Sequence, residues 1–305
     1  SDLYRSQAAL LVRILPFVAE EDSFALKGGT AINLFLRNMP RLSVDIDLTY
    51  LPVASRVESL TEIDAALKRI AEMAREHSPA EDVIEQTPSG GDTAVTKLIA
   101  RDEEEGVQVK IEVTPVLRGC VHEPEMRVVA PAVEDAFGFA EAKIVSFPDL
   151  YGGKIVAALD RQHPRDLFDV RDLLANEGID LALRRAFVVY LLSHNRPIHE
   201  VLAPNRKDLT VEFERGFQGM TEERISLEEL LAVREALIKK IVGNMPEEHR
   251  RFLISFMHGK SDWVLLGLEG VADLPAVRWR QQNLDSLDQA TRKALVIKLE
   301  QVLWS

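Results

Sequence analysis

The chain has 305 residues and a formal net charge of −12, with 46% hydrophobic and 28% charged residues, as in ordinary globular proteins. This length allows two domains, and the acidic balance argues against a surface that binds nucleic acid throughout. No apolar run is long enough to span a membrane, no signal-peptide pattern opens the chain, and the lone Cys120 excludes an intramolecular disulfide. We therefore expect a cytoplasmic protein that does not associate with membranes.

The first elements predict a phosphate-binding loop. An amphipathic stretch over residues 3–20 predicts a helix, and the apolar run Phe24–Lys27 predicts the strand that follows it. Gly28 and Gly29 interrupt this strand, and Thr30 is a suitable N-cap for a second helix. Paired glycines let a ligand approach the backbone, and the N–H groups at a helix N-terminus attract phosphate.

A pair of aspartates in residues 43–48 predicts a metal site. The segment has the pattern of a strand, so Asp45 and Asp47 share one face while Ile46 and Leu48 point into the core. Adjacent carboxylates repel each other unless a cation neutralises them, and Mg²⁺ prefers such ligands together with substrate phosphates. A solvated acidic strand face is the alternative, but the glycine pair upstream favours the metal site.

The next elements extend a sheet. Residues 55–77 have the pattern of a long helix, and residues 88–92 have the composition of a turn. Two β-rich runs, 93–100 and 106–116, predict a hairpin, and residues 121–131 form a further extended run.

Glu112 lies on the second strand of this hairpin, where Lys110 and Glu112 alternate with buried positions. If that strand lies beside the Asp45–Asp47 strand, Glu112 supplies a third carboxylate. Three carboxylates can bind paired metals, which stabilise both the entering and the leaving oxygen of a phosphoryl transfer. Alternatively, Lys110 and Glu112 form a solvent-facing salt bridge.

From Phe147 and Pro148 onward the pattern is almost entirely helical. We therefore predict an α+β protein, with an α/β domain containing a mixed sheet over residues 1–147 and a helical domain over residues 148–305. Lys154 and Arg161 are seven residues apart and share a helix face, and Asp166 and Asp169 are neighbours on the next helix. A helix pair held together by such bridges is the structural alternative to a functional site.

Four stretches resemble a known family. Lys27-Gly-Gly-Thr-Ala31 and Arg41-x-Ser43-x-Asp45-Ile-Asp47 are similar to the first motif of AbiEii/AbiGii-type nucleotidyltransferases, in the DNA polymerase β superfamily. Lys154 to Arg161 and Arg165 to Asp169 resemble the family's Lys-x-x-Ala-x-x-x-Arg and Arg-Asp-x-x-Asp motifs. The resemblance implies a polymerase-β-like nucleotidyltransferase domain, followed by a helical domain that completes the active-site cleft.

The resemblance also implies roles for individual residues. The expected ligands of a two-metal Mg²⁺ site are Asp45, Asp47 and Glu112. The expected nucleotide-binding residues are Gly28, Gly29, Thr30, Ser43, Lys154 and Arg161. The expected catalytic residues are Asp45, Asp47, Glu112, Lys154 and Asp166. The implied reaction is in-line attack of an acceptor hydroxyl on the α-phosphate of an NTP, which transfers a nucleoside monophosphate and releases pyrophosphate.

The biology implied by the resemblance is that of a toxin in a toxin–antitoxin or phage-defence system, with a cognate antitoxin encoded nearby and the tRNA 3′ end as leading acceptor. Residues 184–207 carry five basic side chains against the single acid Glu200, which either bind RNA phosphates or form a solvated surface. Two alternatives stay open: an enzyme that nucleotidylates a protein or small molecule, such as an antibiotic, and a non-catalytic binding module that retains the fold.

Overall fold

A computed structural model describes residues 2–77, 81–88 and 93–304 of the chain. These residues form two compact units. The first runs to Ser146 and also includes Gln218–Arg224, whereas the second comprises Phe147–Phe217 and the chain from Ile225 onward. The predicted division placed residues 218–224 in the helical part, but Leu42 N–H donates to the carbonyl of Met220 at 2.7 Å, within the first unit.

Within the described residues, the first unit is built on a seven-stranded sheet of order β3-β4-β5-β2-β1-β7-β6. Its strands are β1 Phe24–Lys27, β2 Asp45–Tyr50, β3 Glu81–Gln86, β4 Lys97–Asp102, β5 Val107–Arg118, β6 Glu125–Val128 and β7 Glu141–Ile144. The pairs β1–β7 and β2–β5 are parallel, and the other neighbours are antiparallel. The predicted mixed sheet and α+β class are therefore confirmed.

Helices cover this sheet because their apolar faces match the buried side chains of the strands. The helical segments are α1 Asp2–Ala19, the single turn α2 Gly28–Thr30 with the π-helical turn Ala31–Leu36 that continues it, α3 Arg56–His77 and α4 Pro131–Phe137. Helix α1 packs on β5 and β7 through side chains such as Leu11 and Leu15, which are fully buried. Burial of the apolar side chains between the helices and the sheet supplies the main stabilisation of the unit.

Most predicted elements of this unit are present, and the unit contains three further elements that the sequence did not predict. The first helix, the strand at Phe24–Lys27, the Asp45–Asp47 strand, the long helix and the β4–β5 hairpin are confirmed. Strand β3, helix α4 and strand β7 were not predicted. Residues 89–92 of the predicted turn at 88–92 lie outside the described residues.

The described part of the second unit contains helices and no strand. The helices are α5 Phe147–Asp160, α6 Pro164–Ala175, α7 Leu181–Leu192, α8 Ile198–Leu202, α9 Thr210–Gly216, α10 Leu227–Ile238, α11 Glu247–Met257, α12 Trp263–Leu266, α13 Pro275–Asp285 and α14 Gln289–Leu303, with a π-helical turn at Lys239–Gly243 and a 3-10 turn at Val271–Asp273. Helices α5 and α7 pack closely at Gly152, where an added Cβ would lie 3.1 Å from the backbone of Ala186 and Phe187. In the described chain, no helix combines the length and the apolar character needed to cross a membrane.

Candidate active site

The sheet of the first unit presents three carboxylates on one face. Strands β2 and β5 pair in parallel, with Asp47 opposite Glu112 and Asp45 opposite Lys110. Paired positions in a sheet share a face, so Asp45, Asp47 and Glu112 project together while Ile46 is fully buried on the other side. The predicted pairing of the Glu112 strand with the aspartate strand is confirmed, whereas the chemical roles of the carboxylates stay predictions.

The Gly28–Gly29 turn lies against this carboxylate face. Gly28 has a φ of 75°, and a Cβ there would lie 2.8 Å from Asp47 Oδ2. A Cβ on Gly29 would lie 2.7 Å from a guanidinium nitrogen of Arg41, which is buried and donates to its neighbour's carbonyl. Gly28 therefore favours glycine both by its positive φ and by its contact with Asp47, and a side chain at Gly29 would have to displace the Arg41 guanidinium.

Thr30 does not cap a helix, so this prediction was wrong. The helical turn begins at Gly28, and the Thr30 hydroxyl forms no cap hydrogen bond. The fully buried Thr30 instead donates to the carbonyl of Asp45, and its Oγ1 lies 2.8 Å from Ser43 Oγ. These hydroxyls tie the glycine turn to the start of β2. Any contact of Thr30 with a nucleotide would therefore involve its backbone.

Lysines surround the carboxylates. Lys27 on β1 is opposite Asp47 and reaches Thr114 Oγ1 at 3.4 Å, whereas Lys110 Nζ lies 2.8 Å from Glu112 Oε2. Burial raises the pKa of Asp47, and the negative charges of Asp45 and Glu112 raise it further against the opposing effect of the lysines. Burial lowers the pKa of Lys27 despite the nearby Asp47. The face thus places three carboxylates and several lysines close together.

The carboxylates of this face are of the kind that binds a divalent cation, but their side chains are not arranged as a formed metal site. Asp45 and Asp47 offer hard oxygen ligands side by side, which is the set that Mg²⁺ prefers. Within residues 2–77, 81–88 and 93–304, no three His, Cys, Asp or Glu side chains converge closely enough to hold a metal. One oxygen of Glu112 is instead held by Lys110. Asp45 and Asp47 are the side chains that would hold a cation, with Glu112 on the same face.

The residues predicted from the second unit form a buried ion-pair cluster. Lys154 on α5 lies 2.8 Å from Asp166 Oδ1 and 2.9 Å from Asp169 Oδ2, both on α6. Arg161, just beyond the end of α5, donates two hydrogen bonds to Asp166 at 2.6 and 3.0 Å. Burial alone would raise the pKa of Asp166, but Lys154 and Arg161 outweigh it and hold this pKa below its usual range.

The local sequence builds this cluster. Pro164 opens α6 at its first turn, where the missing N–H costs nothing, and His163 caps the helix by accepting a hydrogen bond from Arg165 N–H. The arrangement matches the alternative that the sequence left open, a helix pair held by Lys/Arg–Asp bridges. The proposed phosphate-binding role of Lys154 and Arg161 stays a prediction, as does the catalytic role of Asp166.

The basic stretch at residues 184–207 is mostly committed to internal contacts. Arg196 pairs with Asp160 at 2.6 Å and with Glu200 at 2.9 Å. Arg206 pairs with Glu235 at 2.8 Å, and Lys207 donates to the carbonyl of Asp160. Acids from outside the stretch thus neutralise part of it, so its local excess of basic residues is smaller in the folded unit than in the sequence.

Among the basic side chains around the carboxylates and the glycine turn, Lys27, Arg41 and Lys110 were not predicted as site residues. The sequence carried a signal for each of them. Lys27 directly precedes the glycine pair, Arg41 lies two residues before Ser43, and Lys110 shares the strand face of Glu112. Only the fold shows that Lys27 lies opposite Asp47 and that the Arg41 guanidinium lies against Gly29.

A mixed sheet that carries paired aspartates beside a Gly-Gly turn resembles the arrangement expected of a nucleotidyltransferase. The protein's fold is similar to that of MenT4, nucleotidyltransferase toxin Rv2826c from Mycobacterium tuberculosis H37Rv, with a TM-score of 0.55 and 18% identity over 99% of this chain and 92% of the other. The comparison with curated protein sequences returned no match.

The family assignment comes from the sequence model described as nucleotidyl transferase AbiEii toxin, type IV TA system, which matches residues 9–283. The chain belongs to this family. It is therefore a nucleotidyltransferase toxin of a type IV toxin–antitoxin system, as the motifs at Gly28, Asp45 and Lys154 predicted.

Proposed function

We propose that this toxin transfers a nucleoside monophosphate from an NTP to the 3′-terminal hydroxyl of tRNA in a Mg²⁺-dependent reaction. The observation that carries the proposal is the placement of Asp45, Asp47 and Glu112 on one face of β2 and β5. Such a face, beside a turn where only glycine fits, can hold both a hard cation and the phosphates that share its coordination shell.

In this proposal each group has one task. Asp45 and Asp47 hold Mg²⁺, with Glu112 as third carboxylate once it leaves Lys110. Bound Mg²⁺ would neutralise the triphosphate and make the acceptor hydroxyl a better nucleophile. The backbone of Gly28 and Gly29 binds phosphate oxygens, while the contacts of Thr30, Ser43 and Arg41 keep the turn in place. The bond from the acceptor oxygen to the α-phosphorus forms as the α–β phosphoanhydride breaks, the proton of the acceptor hydroxyl passes to solvent, and pyrophosphate leaves.

Lys154 remains the proposed phosphate-binding group of the helical unit, and Asp166 the residue that orients it. The 2.8 Å contact between them supports the orienting role. Arg161 is the exposed member of the cluster and is proposed to contact phosphate as well. A charged group fixed in advance stabilises developing charge without having to reorganise during the reaction.

The choice of tRNA rests on the family resemblance, because acids of the same unit already neutralise Arg196 and Arg206 of the basic stretch at residues 184–207. Membership of a type IV system implies a cognate antitoxin. A cytoplasmic location, where NTPs and tRNA are found, belongs to the same proposal.

The test is an incorporation assay with four α-labelled NTPs. Each would be incubated with the toxin and total tRNA, or with total protein, in the presence of Mg²⁺ or EDTA. Label on the tRNA 3′ end, for one NTP and only with Mg²⁺, is the expected result. Label on protein would show that the acceptor is a protein while the transfer reaction stands. No label on either tRNA or protein would contradict the proposal. Glu125→Gln, in an exposed ion pair at the sheet edge, is the control variant.

A further inference from the structure

Lys110 occupies a central position among the carboxylates. It projects from β5 on the same face as Glu112, two residues along, and it is directly opposite Asp45 on β2. Its Nζ lies 2.8 Å from Glu112 Oε2. Partial burial acts against the charged form of Lys110, but the bond to Glu112 and the charges of Asp47 and Asp45 outweigh it and raise the pKa of the ammonium.

This ammonium acts on the same three groups that would bind metal. The other cations on this face are Lys27, opposite Asp47, and Lys97, opposite Glu112. Lys27 reaches Thr114, and Lys110 is the lysine bonded directly to a carboxylate of the set. In its pair with Lys110, one oxygen of Glu112 faces an ammonium. Among the described residues, no three His, Cys, Asp or Glu side chains form a group that could hold a metal.

We propose that Lys110 is an internal counter-ion that competes with divalent cations for Glu112, so that full metal loading requires the Lys110–Glu112 pair to open. This inference rests on the proposed metal site at Asp45 and Asp47. Lys110 stabilises the metal-free enzyme by partly neutralising three carboxylates, and it makes loading of the cation less favourable. It acts through Glu112 and is therefore a positioning residue.

The side chains of Lys110 and Glu112 are 33% and 42% exposed, so solvent screens their attraction and the pair can open. The competition is therefore modest. Removal of one positive charge beside the carboxylates, under partial screening, corresponds to roughly three- to tenfold tighter cation binding. Lys110→Met removes the charge and retains most of the apolar stem.

The experiment measures Mn²⁺ binding to the enzyme without nucleotide, with free Mn²⁺ detected by electron paramagnetic resonance. We expect Lys110→Met to bind Mn²⁺ about three- to tenfold more tightly than the parent enzyme. Lys68→Met is the matched control, because Lys68 also pairs with a carboxylate at 2.8 Å but lies on α3. We expect the Mn²⁺ affinity of Lys68→Met to equal that of the parent enzyme. Adding Glu112→Gln to Lys110→Met should cancel the gain, since the carboxylate released by the first change is then absent.

Unchanged or weaker Mn²⁺ binding by folded Lys110→Met would overturn the inference. Lys110→Gln provides a second neutral side chain if the methionine variant does not fold. The proposed metal site fails separately: Mn²⁺ binding that survives Asp45→Asn/Asp47→Asn would contradict the site itself. Loss of binding in that double variant, together with no gain from Lys110→Met, would leave the site intact and reject only the counter-ion role.

Discussion

Gly28 and Asp47 are packed so closely that a methyl group on Gly28 would lie 2.8 Å from Asp47 Oδ2. The glycine turn and the aspartate strand are therefore one structural unit, although a helical turn and a loop separate them along the chain. Any change that adds volume at Gly28 must move the carboxylate.

Gly28→Ala should therefore reduce nucleotidyl transfer far more than it reduces stability. The positive φ at Gly28 costs about 1–2 kcal/mol for alanine, and the displaced Asp47 carboxylate would lose its place beside Asp45. Gly106→Ala is the control, because Gly106 also has a positive φ, of 65°, but open space around it. Urea unfolding should show similar losses for both variants, while initial transfer rates should fall only for Gly28→Ala.

Thr30→Val should destabilise the first unit by about 2 kcal/mol, because the buried carbonyl of Asp45 and the hydroxyl of Ser43 would lose their partner. Thr30→Ser retains the hydroxyl and should cost about 1 kcal/mol for the lost methyl group. Denaturant unfolding of both variants measures the difference. Equal losses of unfolding free energy in the two variants would show that the Thr30 hydroxyl contributes little to stability.

Lys154→Met should destabilise the protein by about 3–5 kcal/mol, since two buried carboxylates, Asp166 and Asp169, would lose their shared counter-ion. Lys68→Met removes an exposed pair of the same length and should cost about 0–1 kcal/mol. Transfer assays at a temperature where the variant stays folded then test the phosphate-binding role. Full activity there would assign Lys154 a purely structural role.

Stability should fall as the pH decreases from about 6.5 toward 4, because of His249. Burial, together with the charges of Arg185 and Arg184, lowers the pKa of His249 to about 4. The unfolded chain therefore binds the proton first, and stability present above pH 6.5 is lost on acidification, by on the order of 2–3 kcal/mol. Partial burial lowers the pKa of His199 in the same direction.

Unfolding free energies from pH 7.5 to 4.5 check this expectation. His249→Gln should show a flatter profile than the parent, since its neutral side chain binds no proton in either state. A profile as steep as the parent's would mean that another group controls the pH dependence.

Local pattern was enough to predict the centre of the sheet. Period-2 alternation placed Asp45 and Asp47 on one face, and the same alternation in the β4–β5 hairpin placed Glu112 on the face of its strand. Strand β3, by contrast, has the sequence Glu-Asp-Val-Ile-Glu-Gln, which is acidic and lies at a sheet edge, so it lacks the continuous apolar signal of a buried strand. Strand β7 is only four residues long.

Contacts between distant parts of the chain were beyond local pattern. Thr30 had the sequence signature of an N-cap, but its hydroxyl bonds to Asp45, fifteen residues away. The charge of the basic stretch at residues 184–207 was counted from the stretch alone. In the structure, Asp160 and Glu235 from other helices of the same unit pair with two of its arginines. Residue type and spacing predicted which groups carry the charge, and tertiary packing determined which of them are paired.

In the proposed reaction, Asp45 and Asp47 hold the metal for nucleotidyl transfer. The most direct measurement is the initial rate of pyrophosphate release by Asp47→Asn at saturating NTP, tRNA and Mg²⁺, with Glu125→Gln as control. We predict a rate on the order of a thousandfold below the parent, as expected for the loss of several kcal/mol of transition-state stabilisation, with an unchanged melting temperature. A folded Asp47→Asn enzyme that releases pyrophosphate at a near-parental rate would contradict the account.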